Sequence, residues 1–191
     1  MKQIKNIISD SIKVKQLLLE DEKTLTKILE ASYKILHSLQ NGGRIYFCGN
    51  GGSAADAQHL AAEFSGRFYQ DRKALPAEAL HTNTSYLTAV ANDYSYDVVY
   101  SRLIHGVGHP QDVLIGISTS GNSKNIVLAL EEAKKIGMAT IGLTGSKGGI
   151  MKDICDINLA MPSEDTPRIQ ECHIMIGHII CQMVEDMYFQ S

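Results

Sequence analysis

The chain has 191 residues, 44% of them hydrophobic and 20% charged, with 18 Lys and Arg against 21 Asp and Glu and a formal net charge of -3. That balance argues against a protein that lives on nucleic-acid backbones, which need a face rich in Lys and Arg, although neutral donors can still hold a single phosphate. Sixteen Gly against four Pro exclude collagen and disordered linkers, so the glycines mark bends in a folded chain.

The N-terminus lacks the apolar stretch of a signal peptide. No apolar run reaches the roughly 18 residues of a membrane span. Two helices are expected first. Ile4, Ile7, Ile8, Ile12, Leu17 and Leu18 recur near helical spacing. After a turn at Glu20-Asp21-Glu22, the residues Leu25, Ile28, Leu29, Ser32, Ile35, Leu36 and Leu39 carry the second, which stops at Asn41-Gly42-Gly43. Residues 1–41 thus read as a helical extension for packing and oligomerisation, joined to one domain over 42–191.

Beyond Gly43 the texture becomes strand, turn, helix. Short apolar runs at 44–49, 112–117, 139–143 and 154–161, with a weaker one at 77–81, fit strands. Helical segments follow at 54–64 and 123–136, and a last helix runs from Pro167 to Tyr188, with Pro at an early helical position. Continuously apolar strands separated by helices imply a parallel sheet covered on both faces. The fold class expected is α/β, a three-layer αβα sandwich around five parallel strands. The four cysteines, Cys48, Cys155, Cys172 and Cys181, show no C-x-x-C spacing and read as reduced thiols of a cytoplasmic protein.

Two loops fall where an open parallel sheet binds ligands, beyond the carboxyl ends of its strands. In Gly49-Asn50-Gly51-Gly52-Ser53, glycines let backbone N–H groups approach an anion, and Ser53 is placed to cap the next helix. A purely structural turn explains the same residues. The pattern is not G-x-G-x-x-G, which disfavours a nucleotide. In Ser118-Thr119-Ser120-Gly121-Asn122-Ser123, four hydroxyls precede a helix N-terminus. Helix capping uses one or two of them, whereas a phosphate monoester uses all four.

His59 and Glu63 are four apart and share a helix face, as a metal pair or as a surface pair. The last helix offers Gln170, Glu171, His173 and His178 as complements. Gln170 and His178 are separated by about 12 Å along a straight helix, and His173 is rotated about 140° from His178. Asp93, after Asn92, suits a sugar hydroxyl or a helix cap equally. Arg67 is a further candidate. His81, His105 and His109 read as structural or surface groups, and Tyr94, Tyr96 and Tyr100 as packing residues.

Taken in order, Gly49-Asn50-Gly51-Gly52-Ser53-Ala54-Ala55-Asp56-Ala57-Gln58-His59, Ala62-Glu63-Phe64-Ser65-Gly66-Arg67, Gly116-Ile117-Ser118-Thr119-Ser120-Gly121-Asn122-Ser123 and Arg168-Ile169-Gln170-Glu171-Cys172-His173 resemble the phosphoheptose isomerases of the sugar isomerase (SIS) superfamily. The resemblance spans nearly the whole chain. It implies conversion of sedoheptulose 7-phosphate to D-glycero-D-manno-heptose 7-phosphate through an enediolate, the first step toward the heptose of bacterial surface polysaccharide. It also implies a homotetramer with active sites between subunits and a zinc ion on His59, Glu63, Gln170 and His178. Glu63 would be the base and His178 the acid. Ser118, Thr119, Ser120 and Ser123 would hold phosphate. Asn50, Gly51, Gly52, Ser53, Glu63, Asn92, Asp93 and Gln170 would line the sugar. Non-catalytic relatives of the same architecture, a replication-initiator-binding tetramer or a sugar-phosphate sensor, are the alternative, and the presence of both Glu63 and His178 favours the enzyme.

Overall fold

A computed structural model describes residues 1–189. The elements run α1 (Lys2–Leu19), α2 (Glu22–Gln40), β1 (Ile45–Gly49), α3 (Gly52–Ser65), β2 (Ala77–Ala79), α4 (Thr84–Asp93), a 3₁₀ turn (Tyr96–Val98), α5 (Val99–Val107), β3 (Val113–Ser118), α6 (Lys124–Ile136), β4 (Ala139–Thr144), α7 (Met151–Ile154), β5 (Ile157–Ala160) and α8 (Thr166–Phe189). All five strands are parallel, in the order β2-β1-β3-β4-β5. The αβα sandwich expected from the sequence is the one observed.

Side chains on β1 alternate between two cores. Ile45 and Phe47 join the layer built from α2, α3 and α8, while Tyr46 and Cys48 join the layer of α4, α5 and α6. Both faces are covered, which is why β1 and β3 are buried at every position and read as continuous apolar runs. Asp21 starts α2 by accepting from the backbone N–H groups of Lys23 and Thr24. Ile28, Ala31 and Ile35 of α2 are fully inside the same core as β1. In α1, by contrast, only Leu18 is buried, and Ile4, Ile7, Ile8 and Ile12 face outward.

Three local expectations are corrected. Ser53 does not cap α3: it lies inside the helix and is buried, and Gly51 at φ +55° is the capping residue. The segment 154–161 is not one strand, because Ile154 closes the short helix α7 before β5 begins. Of the three tyrosines only Tyr100 is core; Tyr94 and Tyr96 are exposed. All four cysteines are free thiols. Among the described residues no helix is long and apolar enough to cross a membrane.

Candidate active site

The order in which strands are added to the parallel sheet reverses at β1 and β3, since β2 lies on the far side of β1 and β4 on the far side of β3. A crevice opens at such a switch point, and both candidate loops leave from it. They are tied together by reciprocal amide bonds: Asn50 Nδ2 donates to Asn125 Oδ1 and Asn125 Nδ2 donates to Asn50 Oδ1, each at 2.9 Å. Tyr96 Oη donates to Asn50 Oδ1 at 3.2 Å, and Tyr100 Oη donates to the Gly49 carbonyl at 2.6 Å. Asn125 is buried; nothing in its sequence context marked it.

In the serine loop the Ser118 hydroxyl lies 2.9 Å from that of Ser123 and 3.4 Å from that of Ser120. Three hydroxyls therefore converge at the N-terminus of α6, and Ser123 sits at its cap position with its hydroxyl turned to Ser118 rather than to the helix N–H groups, which leaves those donors open to an anion. The loop after β4 braces this cradle. Met151 N–H donates to the Gly121 carbonyl, Gly145 N–H to the Thr119 carbonyl, and Ile150 N–H to Asn122 Oδ1. Gly121 has φ +66°, and a Cβ there would lie 2.0 Å from the Gly148 carbonyl oxygen; only glycine fits. A cavity of about 250 Å³ opens beside Thr119 and Ser120 and is also lined by Ser146, Lys147 and Thr166. Lys147, ion-paired to Glu164 at 2.7 Å, brings a cation to its wall that the motif reading missed.

The titratable cluster lies between α3 and α8. His59 Nε2 is 2.9 Å from Glu63 Oε1, and His178 Nε2 is 3.4 Å from His59 Nε2. One ligand atom from each of the three residues falls within 4.8 Å of the others. Tetrahedral ligands about 2.0–2.1 Å from a zinc ion stand about 3.3 Å apart, so the trio fits one face of such a site. Phe68 packs on the His178 ring, centroids 5.7 Å apart. Asp56 lies one turn before His59, half-buried, and burial pushes its carboxyl upward while His59 pulls it down.

Other candidates fall elsewhere. The Gln170 amide lies against Gly52, where a Cβ would come within 2.6 Å of Nε2. Gly52 is seven residues before His59, about 10 Å along α3, so Gln170 of the same chain stands apart from the trio. Asn92 donates to Asp93 Oδ1 at the exposed end of α4. Glu171 accepts from Ser11 and Arg168 and fastens α1 to α8. His173 is buried with Nε2 3.1 Å from the Thr144 carbonyl; its role is structural. Arg67 is exposed. His105 pairs with Glu132 on the surface.

Sequence motifs also missed a buried ion pair near the trio. Arg72 Nε donates to Glu185 Oε2 at 2.7 Å, with both side chains almost wholly buried. Burial pushes Glu185 up, but the backbone N–H groups of Gln70, Tyr69 and Phe68 and the Arg72 guanidinium outweigh it and hold the carboxyl below the usual range. Glu185 is seven residues after His178 and on the same helix face, but beside Asp186 it reads in the sequence as a surface charge.

The chain matches the family model of the SIS domain over residues 12–145. It is 52% identical over 188 residues to a phosphoheptose isomerase of Aneurinibacillus thermoaerophilus, covering 98% of this chain and 95% of that one. It is 51% identical over 186 residues to phosphoheptose isomerase 2 of Campylobacter jejuni, covering 97% and 92%. The solved phosphoheptose isomerase GmhA of Neisseria gonorrhoeae superposes with a TM-score of 0.91 at 40% identity, covering 97% of this chain and 98% of that one. A family model covering most of the chain, relatives about 50% identical over nearly its whole length and a solved structure of the same fold agree, and the chain belongs to the phosphoheptose isomerase family of SIS-domain proteins.

Proposed function

We propose that the protein converts sedoheptulose 7-phosphate to D-glycero-D-manno-heptose 7-phosphate. The observation that carries this reading is the carboxylate and imidazole of Glu63 and His178, assembled around His59 within 4.8 Å. Moving a carbonyl from C2 to C1 removes a proton from C1 and returns one at C2 through an enediolate. Glu63 takes the C1 proton as base, and His178 as acid delivers the proton at C2. The serine cradle, Ser118, Thr119, Ser120 and Ser123, holds the phosphate by hydroxyl and backbone donors. Asn50, Gly51, Gly52, Ser53, Asn92, Asp93 and Gln170 orient the hydroxyls.

His59, Glu63 and His178 would hold zinc, with Gln170 as a fourth ligand supplied across a subunit contact, since Gln170 of the same chain lies against Gly52. Bound there, zinc supplies Lewis-acid stabilisation of negative charge on the sugar oxygens. A ligand carboxylate is a weaker base, so an organising role suits zinc better than permanent ligation by Glu63. A cytoplasmic homotetramer with sites between subunits completes the reading, and the exposed isoleucines of α1 suit burial in such an assembly. The product would enter heptose synthesis for surface polysaccharide.

The test is incubation with sedoheptulose 7-phosphate beside shorter ketose phosphates, with products identified by NMR. The aldoheptose phosphate is expected from the seven-carbon substrate. Turnover of only the shorter ketoses overturns the substrate, and no turnover of any overturns the reaction.

A further inference from the structure

The cluster needs two helices held at one separation, and the contact that sets it lies outside the cluster. Glu63 sits in the last turn of α3, and the final carbonyls of a helix lack partners within it. Arg72 reaches two of them, and the Leu75 N–H shares the second. Arg72 Nη2 donates to the Glu63 carbonyl and its Nη1 to the Phe64 carbonyl, both at 2.8 Å, while Nε donates to Glu185 of α8. The other side of Glu185 is occupied as fully. Oε1 accepts from the N–H groups of Tyr69 and Gln70, and Oε2 accepts from Phe68 N–H. One guanidinium and one carboxylate therefore bind the end of α3, the segment behind it and α8 into a single unit. Phe68, held by its N–H, lies on the His178 ring.

We propose that Arg72 and Glu185 are positioning residues for the His59–Glu63–His178 cluster. They fix the C-terminal turn of α3 against α8 and seat Phe68 on the His178 ring, so that base, acid and metal ligands meet at working distance. Neither touches substrate. A buried ion pair is seldom the most stabilising filling for its space. An apolar pair would fill the same volume but could not satisfy the Glu63 carbonyl or the three N–H groups, whereas the Phe64 carbonyl would keep the Leu75 N–H. The inference rests on the proposed reading of the cluster for its effect on turnover, but not for its effect on metal binding.

The test uses full-length Arg72→Lys, Glu185→Gln and the double variant Arg72→Met/Glu185→Leu, compared with wild type in three measurements. These are zinc affinity by titration calorimetry, kcat and KM with sedoheptulose 7-phosphate, and melting temperature. Lys keeps the charge but not the planar fork that spans α3 and α8. The double variant leaves no buried charge unpaired. Zinc affinity and kcat are expected to fall about tenfold or more in all three, since small misplacements of a reacting group or of support behind a metal ligand cost that much. KM should stay within about twofold, because the phosphate cradle belongs to β3 and α6. Wild-type zinc affinity and kcat in folded Arg72→Lys or in the folded double variant overturn the proposal. So does a fall in kcat that only tracks melting temperature, or one shared equally with KM. If wild type itself fails to isomerise the sugar, the reaction assignment falls, and zinc affinity alone decides whether the pair positions the cluster.

Discussion

His59 and His178 are 119 positions apart, yet their Nε2 atoms lie 3.4 Å from each other. Gly177 makes this possible. A Cβ at that position would sit 2.5 Å from both methyl groups of Leu60, so α3 and α8 approach as closely as they do only because residue 177 has no side chain. Gly177→Ala should push the helices apart. The expected cost is about 1–3 kcal/mol, the usual range for overpacking a filled core, with zinc affinity reduced as well. Urea unfolding and zinc titration check it, and an Ala variant equal to wild type in both would show that the helices have slack.

Metal content follows from the same pair. Purified protein is expected to hold zinc at His59, Glu63 and His178, to lose activity with a chelator and to regain it with zinc. Support behind a metal ligand is worth about 10–100-fold in affinity, so removing a ligand in His59→Gln should cost at least about 100-fold. Full activity in a preparation proven metal-free by elemental analysis would take zinc out of the reaction.

Glu63→Gln keeps the shape of the side chain and removes its basicity. A positioned base contributes about 10²–10⁴-fold to proton transfer, and kcat should fall by that much. KM should change little if, as proposed, the serine loop holds the phosphate. Exchange of the C1 proton with solvent deuterium, followed by NMR, should fall in parallel. Exchange at the wild-type rate would mean that another group is the base.

The sheet was legible in the sequence because β1 and β3 are almost wholly apolar and β4 nearly so, broken by Thr140, and the candidate ligand loops because Gly and Ser cluster directly after those strands. Glu63 and His178 were legible through motif and resemblance. Arg72 and Glu185 were not, because each taken alone reads as a surface charge. Their burial is a product of tertiary packing 113 positions apart. The cap of α3 was misread for a related reason: Ser53 has the chemistry of a cap, but Gly51 alone takes φ +55° without strain. Ile154 and Cys155 are apolar like the strand that follows, and so short a stretch does not separate one helical turn from a strand.

The serine cradle makes a separate prediction. Ser120→Ala with Ser123→Ala removes two hydroxyls from the anion site and leaves the backbone donors. A hydrogen bond to a charged group contributes about 1.5–3 kcal/mol, so KM should rise about tenfold or more for the pair. Zinc affinity should not move, because His59, Glu63 and His178 lie on α3 and α8. An unchanged KM would place the phosphate elsewhere, with the Lys147 side of the cavity the next place to test.

His173 should give the protein an acid-sensitive stretch of stability below neutral pH. Burial pushes its pKa down from 6.5 to about 4, against the hydrogen bond to the Thr144 carbonyl, which acts in the opposite direction. A carbonyl only accepts, so Nε2 carries the proton, and the buried Nδ1 has no partner. A second proton is therefore resisted in the folded chain and accepted in the unfolded one near pH 6.5. The stabilisation is complete above pH 6.5, declines as pH falls and is gone below about pH 4, amounting to about 3 kcal/mol at 1.36 kcal/mol per pKa unit. Glu185, held below the usual carboxylate range, loses its contribution only at lower pH. His173→Gln keeps a donor for the Thr144 carbonyl and cannot titrate. Its urea midpoint should be lower than wild type at pH 7.5 but should fall less steeply between pH 6.5 and 4.5. Parallel curves for the two proteins across that interval would remove His173 as the source of the acid sensitivity.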